Sequence, residues 1–262
     1  MTEATMMDPE ERQQNCANML AVASGKGGVG KTWLSVTLAQ ALARKAKRVL
    51  LFDGDLGLAN VDIQLGLHPH NDLAGVLEGS YALKDAIVAH PSGGFDVIAG
   101  RSGTGSLANL PAGRLQQLMD NLAALAPAYD RVILDLGAGL DRTVRQLAAL
   151  ARTSLVVATD EPTSLTDAYA FIKLAHLQNP KADLRIVINM ATSPAEGERT
   201  YATLLKACES FLKISPRLVG VIRRDAKVKD AIRHQTPILT RHPNSQAAED
   251  IEALVSRLDA GN

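Results

Sequence analysis

The chain has 262 residues, of which 46% are hydrophobic, with 28 basic and 28 acidic side chains. This size suits one α/β domain with a buried sheet, whereas zero formal charge and 3% aromatic residues argue against binding nucleic acid by bulk electrostatics or base stacking. Two cysteines without metal-ligand spacing, no signal-like segment and no apolar run of ~18 residues predict a cytoplasmic protein, with peripheral contact at the membrane or cell pole left open.

Short apolar runs alternate with amphipathic stretches along the chain. The apolar runs predict seven strands, at residues 20–24, 48–52, 95–99, 131–135, 154–158, 184–189 and 217–221. The amphipathic stretches predict nine helices, at residues 33–44, 73–78, 83–89, 112–126, 141–151, 164–178, 196–212, 226–234 and 245–258. This alternation predicts a doubly wound α/β fold, in which helices cover both faces of a mostly parallel sheet.

Two polar stretches are expected to lie outside this regular structure. Residues 1–17 are predicted to be a flexible N-terminal segment before a single domain over residues 18–262. A glycine- and serine-rich stretch at residues 100–106 is predicted to be a mobile loop, although its position after a strand also allows it to border a ligand site.

The first predicted strand leads into a loop of sequence GKGGVGKT, at residues 25–32. The loop has the phosphate-binding pattern G-x-x-x-x-G-K-[ST], in which backbone N–H groups at a helix N-terminus surround phosphate oxygens. Lys31 would contact the β- and γ-phosphates, and the Thr32 hydroxyl would bind Mg²⁺. The predicted nucleotide-binding residues of this loop are Gly25, Lys26, Gly27, Gly28, Val29, Gly30, Lys31, Thr32 and Trp33.

The loop carries a second lysine, Lys26, at its second position. Because Lys31 already occupies the inner side of the loop, Lys26 is poorly placed to fold back onto the same phosphates. We predict that it reaches the phosphates of a partner subunit in a face-to-face dimer, where it would neutralise the charge that develops during hydrolysis. The alternative is a solvated surface lysine.

Carboxylates follow two of the predicted strands. The second strand ends in Asp53-Gly54-Asp55, and the fourth ends in Asp135, which glycines follow. Carboxylates at strand ends beside a phosphate-binding loop suit Mg²⁺ coordination and the alignment of an attacking water. The alternatives are an ordinary turn at residues 53–55 and a helix cap at Asp135.

Three segments together resemble one family. They are residues 26–32, residues 53–62 (DGDLGLANVD) and residues 160–169 (DEPTSLTDAY). They are similar to the deviant Walker A ATPases of the MinD/ParA family, in the flagellar-number regulator branch (FlhG, FleN and YlxH type). The resemblance covers roughly residues 18–258 and implies a MinD-like P-loop NTPase fold, ATP and Mg²⁺ as cofactors, and slow ATP hydrolysis.

The resemblance implies a role for each matching residue. The catalytic set would be Lys26, Lys31, Asp55 and Asp135. Within this set, Lys26 would act across the dimer, Asp55 would position and activate water, and Asp135 would be the Walker B aspartate. The metal would be held by Thr32, Asp53 and Asp135. Asn189 would read the edge of adenine, and Glu161 and Asp167 would lie at a dimer or partner face.

The resemblance also implies a function. The chain would form an ATP-dependent homodimer that regulates flagellar number or placement, with no direct binding of nucleic acid. Its partners would be a FlhF-type GTPase, a flagellar transcription activator or a basal-body component. Two alternatives are a MinD-like membrane-cycling ATPase that positions division sites and a ParA-like DNA partition ATPase. An iron–sulfur reductase is disfavoured because neither Cys16 nor Cys208 follows a switch aspartate.

The sequence departs from the family at three places. Trp33 replaces a small polar residue, and Arg223 stands where relatives usually carry proline. The third departure is at the C-terminus, where residues 251, 254, 255 and 258 form an apolar helical stripe; the polar face of this helix is acidic, and the helix has no aromatic residue. Since an interfacial membrane helix requires basic and aromatic residues, this stripe predicts a helix that packs on the domain.

Overall fold

The computed structural model describes residues 7–100 and 110–260. These residues fold around one eight-stranded sheet. Its strand order is β3-β4-β2-β5-β1-β6-β7-β8. The strands are β1 (Met19–Ser24), β2 (Val49–Gly54), β3 (Ile87–His90), β4 (Phe95–Ile98), β5 (Arg131–Ala138), β6 (Thr153–Ala158), β7 (Asp183–Ala191) and β8 (Arg217–Arg223). Neighbouring strands are parallel except β3 and β4, so the predicted doubly wound, mostly parallel fold is confirmed.

Helices cover both faces of this sheet. They are α1 (Pro9–Asn15), α2 (Lys31–Arg44), α3 (Val61–Leu65), α4 (Leu73–Glu78), α5 (Ala112–Leu125), α6 (Arg142–Leu150), α7 (Pro162–Gln178), α8 (Pro194–Phe211), α9 (Ala226–Arg233), α10 (Ile238–Arg241) and α11 (Gln246–Ala260). Two short 3₁₀ turns lie at Leu83–Ala86 and Ala126–Ala128. All seven predicted strands and eight of the nine predicted helices are confirmed, with ends that differ by a few residues.

The core consists of two apolar layers, one on each face of the sheet. Alternate residues of β1 belong to different layers, with Met19, Ala21 and Ala23 in one and Leu20 and Val22 in the other. This follows from the strand geometry, which points successive side chains to opposite faces. Since both faces are covered, β1 is a continuous buried apolar run.

The central position of β1 determines where a ligand can lie. β1 pairs with β5 on one side and with β6 on the other, and its chain leads directly into the loop at residues 25–32. In an open α/β sheet the crevice for ligands lies outside the carboxyl ends of the strands, where the strand order reverses. The carboxyl ends of β2 and β5 therefore bring their aspartates to the same crevice as the loop.

The predicted helix at residues 83–89 is wrong. Leu83–Ala86 forms a 3₁₀ turn, and the chain then continues into β3, which pairs antiparallel with β4 at the sheet edge. The two strands form a hairpin in which His90 faces Phe95, and Gly94 has a φ of +75° in the connecting turn. Pairing with β4 overrides a helical spacing that only a few apolar residues supported.

The predicted flexible segment at residues 1–17 is corrected over residues 8–16. The Asp8 carboxylate accepts hydrogen bonds from the backbone N–H groups of Glu10 and Glu11, and Pro9 begins α1. Arg12 pairs with Asp120 of α5 at 2.5 Å, and Cys16 is buried. Residues 1–6 lie outside the described residues, as do residues 101–106 of the predicted mobile loop.

The prediction for the C-terminal stripe is confirmed. The stripe residues of α11 are buried against β8 and α2, with exposed fractions of 0% for Ile251, Leu254 and Val255 and 8% for Leu258. The apolar face of α11 is therefore part of the core. Over residues 7–100 and 110–260, no helix combines the length and apolar character that crossing a membrane requires.

Candidate functional site

The loop between β1 and α2 has the backbone of an anion-binding turn. Gly28 and Gly30 have φ values of +77° and +91°, a left-handed conformation that favours glycine. α2 begins at Lys31, and no side chain caps its first N–H groups. These donors therefore face the crevice together with the positive end of the helix dipole, which is the arrangement that binds phosphate.

Two neighbouring segments hold the loop closely. A Cβ atom on Gly25 would lie 2.2 Å from the carbonyl oxygen of Asp167, and one on Gly30 would lie 2.4 Å from Nδ2 of Asn189. Asn189 is buried and donates a hydrogen bond from Nδ2 to the carbonyl oxygen of Val29 at 2.7 Å. The end of β7 thus supports the loop through Asn189, while the role of this residue in reading adenine stays a prediction.

Lys31 lies on the inner side of the loop. Its side chain is only 8% exposed, and Nζ donates a hydrogen bond to Oγ of Ser24 at 2.9 Å. Burial lowers the pKa of Lys31, an effect that Asp135 and Asp55 oppose. The Ser24 hydroxyl in turn donates to the carbonyl oxygen of Lys26 at 2.6 Å, so the last residue of β1 joins the two lysines of the loop.

Asp53 and Asp135 are adjacent at the carboxyl ends of β2 and β5. They occupy paired positions in the parallel register, and each is 1% exposed. Burial, and then the negative charge of Asp135, raise the pKa of Asp53 to about 8. Burial also raises the pKa of Asp135 to about 6, against hydrogen bonds from Thr32 and Ser35 that lower it. Both shifts mean that the chain alone stabilises the ionised carboxylates poorly, although Lys31 lies beside them.

This excess of buried carboxylate fits a divalent cation. Mg²⁺ prefers oxygen ligands and is usually held by one or two protein groups together with waters and substrate phosphates. Within the described part of the chain, no three His, Cys, Asp or Glu residues form a metal site of their own. A Mg²⁺ ion here would use Thr32, Asp135 and phosphate oxygens, so the donor set fits the ion when a nucleotide is bound.

Asp53 has a second set of partners. Its carboxylate accepts hydrogen bonds from the backbone N–H groups of Asp55 at 3.2 Å and of Asn60 and Val61 at 3.1 Å. These bonds fix both ends of the loop between β2 and α3. Three backbone donors already share the two oxygens of Asp53, and its role beside the metal stays a prediction.

Asp55 lies between the loop after β2 and the glycines at the end of β5. Its carboxylate accepts a hydrogen bond from the N–H of Leu58 at 3.0 Å, and a Cβ on Gly137 would lie 3.2 Å from its Oδ1. The loop after β2 and the end of β5 therefore lie close together at this carboxylate. Leu58 is 75% exposed and Ile63 is 55% exposed, so the same loop presents apolar side chains at the surface.

Lys26 points away from the inner side of the loop. Its Nζ forms an ion pair with Glu161 and donates a hydrogen bond to Oγ1 of Thr163 at 2.8 Å. Both partners lie at the start of α7, and hydrogen bonding to Lys26 lowers the pKa of Glu161. About one third of the Lys26 side chain is exposed, at 33%. The two lysines of the loop thus differ in both surroundings and access.

Two departures from the family pattern have structural explanations. The Trp33 ring is buried against the α2 side of the sheet, so only its backbone remains near the loop. Arg223 at the end of β8 contacts the carboxylate of Asp250 in α11 at 2.9 Å and Glu249 at 3.3 Å. Arg223 therefore joins β8 to the C-terminal helix.

Sequence patterns did not identify three polar residues of the crevice. Ser24 bonds to Lys31, Ser35 donates to Oδ1 of Asp135 at 2.9 Å, and Thr163 bonds to Lys26. Ser35 lies on α2 one turn after Lys31, and this helical spacing is a signal that could have identified it. The contact of Thr163 with Lys26 spans 137 positions and has no local signal.

Comparison with known proteins assigns this chain to a family. Residues 20–238 match the family described as the CobQ/CobB/MinD/ParA nucleotide binding domain. The chain is 40% identical to the antiactivator FleN of Pseudomonas aeruginosa, over 92% of this chain and 86% of FleN. It is 32% identical to the flagellum site-determining protein YlxH of Helicobacter pylori, over 92% of this chain and 83% of YlxH. The solved structure of the cell division ATPase MinD of Pyrococcus furiosus is similar in fold, with a TM-score of 0.79, 23% identity and coverage of 94% of this chain and 100% of that one.

Proposed function

Because this chain belongs to the CobQ/CobB/MinD/ParA nucleotide-binding family, we propose that it is an ATP-dependent dimerisation switch that regulates flagellar number or placement. It is a P-loop ATPase, and its similarity to FleN and YlxH supports the flagellar branch of the family. ATP with Mg²⁺ is the proposed ligand of the loop at residues 25–32.

The position of Lys26 is the observation that carries this proposal. Its ammonium group lies on the outer side of the loop, against Glu161 and Thr163, whereas Lys31 fills the inner side. A lysine in this position can contact phosphates of a second subunit that docks face to face. Hydrolysis would then require the dimer, and its slow rate would set the lifetime of the dimer.

The residues of the crevice divide the work of hydrolysis. The backbone of the loop and Lys31 would bind the phosphates, and Thr32 and Asp135 would hold Mg²⁺, which neutralises phosphate charge when bound. Asp55 would orient the attacking water. Its contact with Leu58 on one side and its closeness to Gly137 on the other support a coupling of the two loops to the state of the nucleotide.

The proposed partners follow from the relatives. An antiactivator such as FleN and a flagellum site-determining protein such as YlxH suggest a flagellar transcription activator, a FlhF-type GTPase or a basal-body component as the protein that the dimer binds. The exposed Leu58 and Ile63, beside the crevice, are apolar contacts that a dimer face would cover.

The two alternative functions receive less support. A MinD-like membrane cycle requires an amphipathic helix with a free apolar face, but the apolar face of α11 is buried in the core. A ParA-like DNA function requires a basic surface, and the basic run at residues 217–233 includes Arg223, whose charge is paired with Asp250.

The oligomeric mass in solution tests the proposal. Wild-type protein and Asp55→Ala would be measured by light scattering with Mg²⁺ and either ADP or ATP. We expect monomers with ADP, and dimers of the slowly hydrolysing Asp55→Ala variant with ATP. Lys229→Ala, a lysine on α9 outside the crevice, serves as the control and should behave as wild type. A protein that binds ATP and stays monomeric at all concentrations would rule out the dimerisation switch.

A further inference from the structure

A second cavity lies at the amino ends of the strands, whereas the nucleotide crevice lies at their carboxyl ends. It has a volume of about 790 Å³, and its walls come from α1, α6, the C-terminal part of α7 and the start of β7. β6 is six residues long, so the length of a strand, about 20 Å, separates this cavity from the carboxyl edge of the sheet. It shares no lining residue with the phosphate-binding loop.

The charges around this cavity are unbalanced. Five basic side chains and one acidic side chain line it, namely Arg12, Arg145, Arg152, Lys181 and Arg185 against Asp183. Arg12 pairs with Asp120 at 2.5 Å and Arg185 with Asp183 at 2.8 Å. Among the residues that the structure describes, no carboxylate lies within ion-pair distance of the other three cations.

Two guanidinium groups of the cavity also have unused hydrogen-bond donors. The Nε atoms of Arg145 and Arg12 are buried and have no acceptor among the described residues. A buried donor without a partner is unfavourable, so an acceptor bound in the cavity would stabilise these atoms. Their neighbours Ala148, Ala151 and Ala182 are small and leave space beside them.

We propose that this cavity binds a small phosphorylated ligand of about the size of a nucleotide. Its volume falls within the range of roughly 300–1,000 Å³ that ligand cavities have. The fork of the Arg145 guanidinium matches two phosphate oxygens, and Arg152 and Lys181 supply further positive charge. Ala148 and Ala149 of α6 and Ala182, just before β7, belong to the apolar part of the wall.

The cavity is connected to the nucleotide crevice by two helices. α6 starts after the end of β5, close to Gly137 and Asp55, and its last turns reach the cavity. α7 starts beside the ion pair of Lys26 with Glu161, and Gln178 at its other end lines the cavity. The binding site is nevertheless independent of the proposed dimerisation, and either can be wrong alone.

Inorganic pyrophosphate is the probe for this site. The full-length protein, saturated with ADP and Mg²⁺ to occupy the phosphate-binding loop, would be titrated while the Nε–Hε resonance of Arg145 is followed by NMR and the heat by calorimetry. We expect a saturable shift of this resonance. Lys31→Ala, titrated in parallel without ADP, separates binding at this cavity from binding at the loop.

Matched variants on one helix decide the outcome. Arg145→Gln should weaken pyrophosphate binding by at least about tenfold, since it removes a charge-assisted pair of hydrogen bonds. Arg142→Gln makes the same change on α6 at a residue that does not line this cavity, and should leave binding unchanged. Arg152 is exposed, so Arg152→Gln should preserve the fold, and it should weaken binding less than Arg145→Gln.

Three results would overturn the proposal. They are a shift that does not saturate, equal affinity of Arg145→Gln and wild type when both have the same melting temperature, and equal binding of citrate and pyrophosphate. The last result would mean that the cavity attracts any anion. Failure of ADP to bind would instead contradict the nucleotide site and leave the Lys31→Ala titration as the test of this cavity.

Discussion

The inner and outer sides of the phosphate-binding loop differ in burial and in the number of contacts that hold their charged groups. The inner side, defined by Lys31, Thr32, Asp53 and Asp135, is largely buried and internally hydrogen-bonded, with shifted pKa values. The outer side, defined by Lys26, Glu161 and Thr163, is partly exposed and held by one ion pair and one hydrogen bond. The inner side is thus organised to bind a ligand, whereas Lys26 on the outer side can leave its present partners at a small cost in free energy.

Replacing Lys26 should separate the two sides most clearly. Lys26→Ala is expected to reduce ATP turnover by about 10³-fold, because a cation that stabilises transferred phosphate from a partner subunit has an effect of this size. Affinity for ADP should change little, because Lys26 lies outside the inner side. Turnover and ADP affinity would be measured on the same preparation, and a parallel loss of both would remove the distinction between the sides.

Replacing Lys31 should give the opposite pattern. Lys31→Ala removes the only cation on the inner side beside two buried carboxylates, so we expect nucleotide affinity to fall by about 100-fold, or roughly 3 kcal/mol. Calorimetry with ADP and Mg²⁺ measures this loss. Lys47→Ala, an exposed lysine beyond α2, is the control, and an unchanged affinity of Lys31→Ala would be incompatible with the proposed site.

The buried carboxylates of the inner side predict a pH dependence of stability. The pKa of Asp53 is raised to about 8 in the folded protein, so between pH 4 and 8 the folded state holds a proton that the unfolded state has lost. Without nucleotide and Mg²⁺, stability should therefore decrease as pH rises through this window, by about 3 kcal/mol between pH 5.5 and 8.

Denaturant unfolding at several pH values measures this slope. Asp135, whose pKa is raised to about 6, adds to the decrease below pH 6. Asp53→Asn should flatten the slope, whereas Asp62→Asn, at a half-buried position of α3, should keep it. A stability that increases from pH 5.5 to 8 would show that Asp53 is ionised in the folded protein.

The ion pair on the outer side should have the smallest effect. Glu161→Gln removes the charge that holds Lys26 in its own subunit, while Thr163 keeps its hydrogen bond to Lys26. Because exposed ion pairs contribute little, we expect the ATP-dependent dimer to form at a concentration only about threefold lower. Sedimentation with ATP and Mg²⁺ measures this shift, and a complete loss of dimers would mean that Glu161 itself forms the interface.

Local sequence was sufficient for most of the fold. The strands other than β3 are short apolar runs, so β1, β2 and β4 to β8 could be predicted with their order along the chain. β3 could not, because Ile87–His90 becomes a strand only through its pairing with β4. α1 was missed because its sequence is polar, although Asp8 and Pro9 are a capping signal.

The site was predictable where a motif fixes the backbone and not where contacts come from distant segments. The loop and the strand-end aspartates follow from local patterns, and the structure brings them together. The bond of Asn189 to Val29 and the contacts of Lys26 at the start of α7 depend on how separate elements pack, whereas the three N–H donors on Asp53 come from the loop that follows it. The basic cavity likewise combines α1, α6, α7 and β7.

The action of Lys26 in a second subunit can be tested most directly with mixed dimers. Lys26→Ala and Asp55→Ala would be prepared separately, mixed in equal amounts with ATP and Mg²⁺, and assayed for phosphate release. If Lys26 acts across the dimer, the Lys26→Ala subunit keeps its own Asp55 and receives a lysine from its partner. Random pairing then restores about one quarter of wild-type activity, since half of the dimers have one complete site. If the mixture is no more active than the two variants alone, Lys26 acts within its own subunit and the proposed switch is wrong.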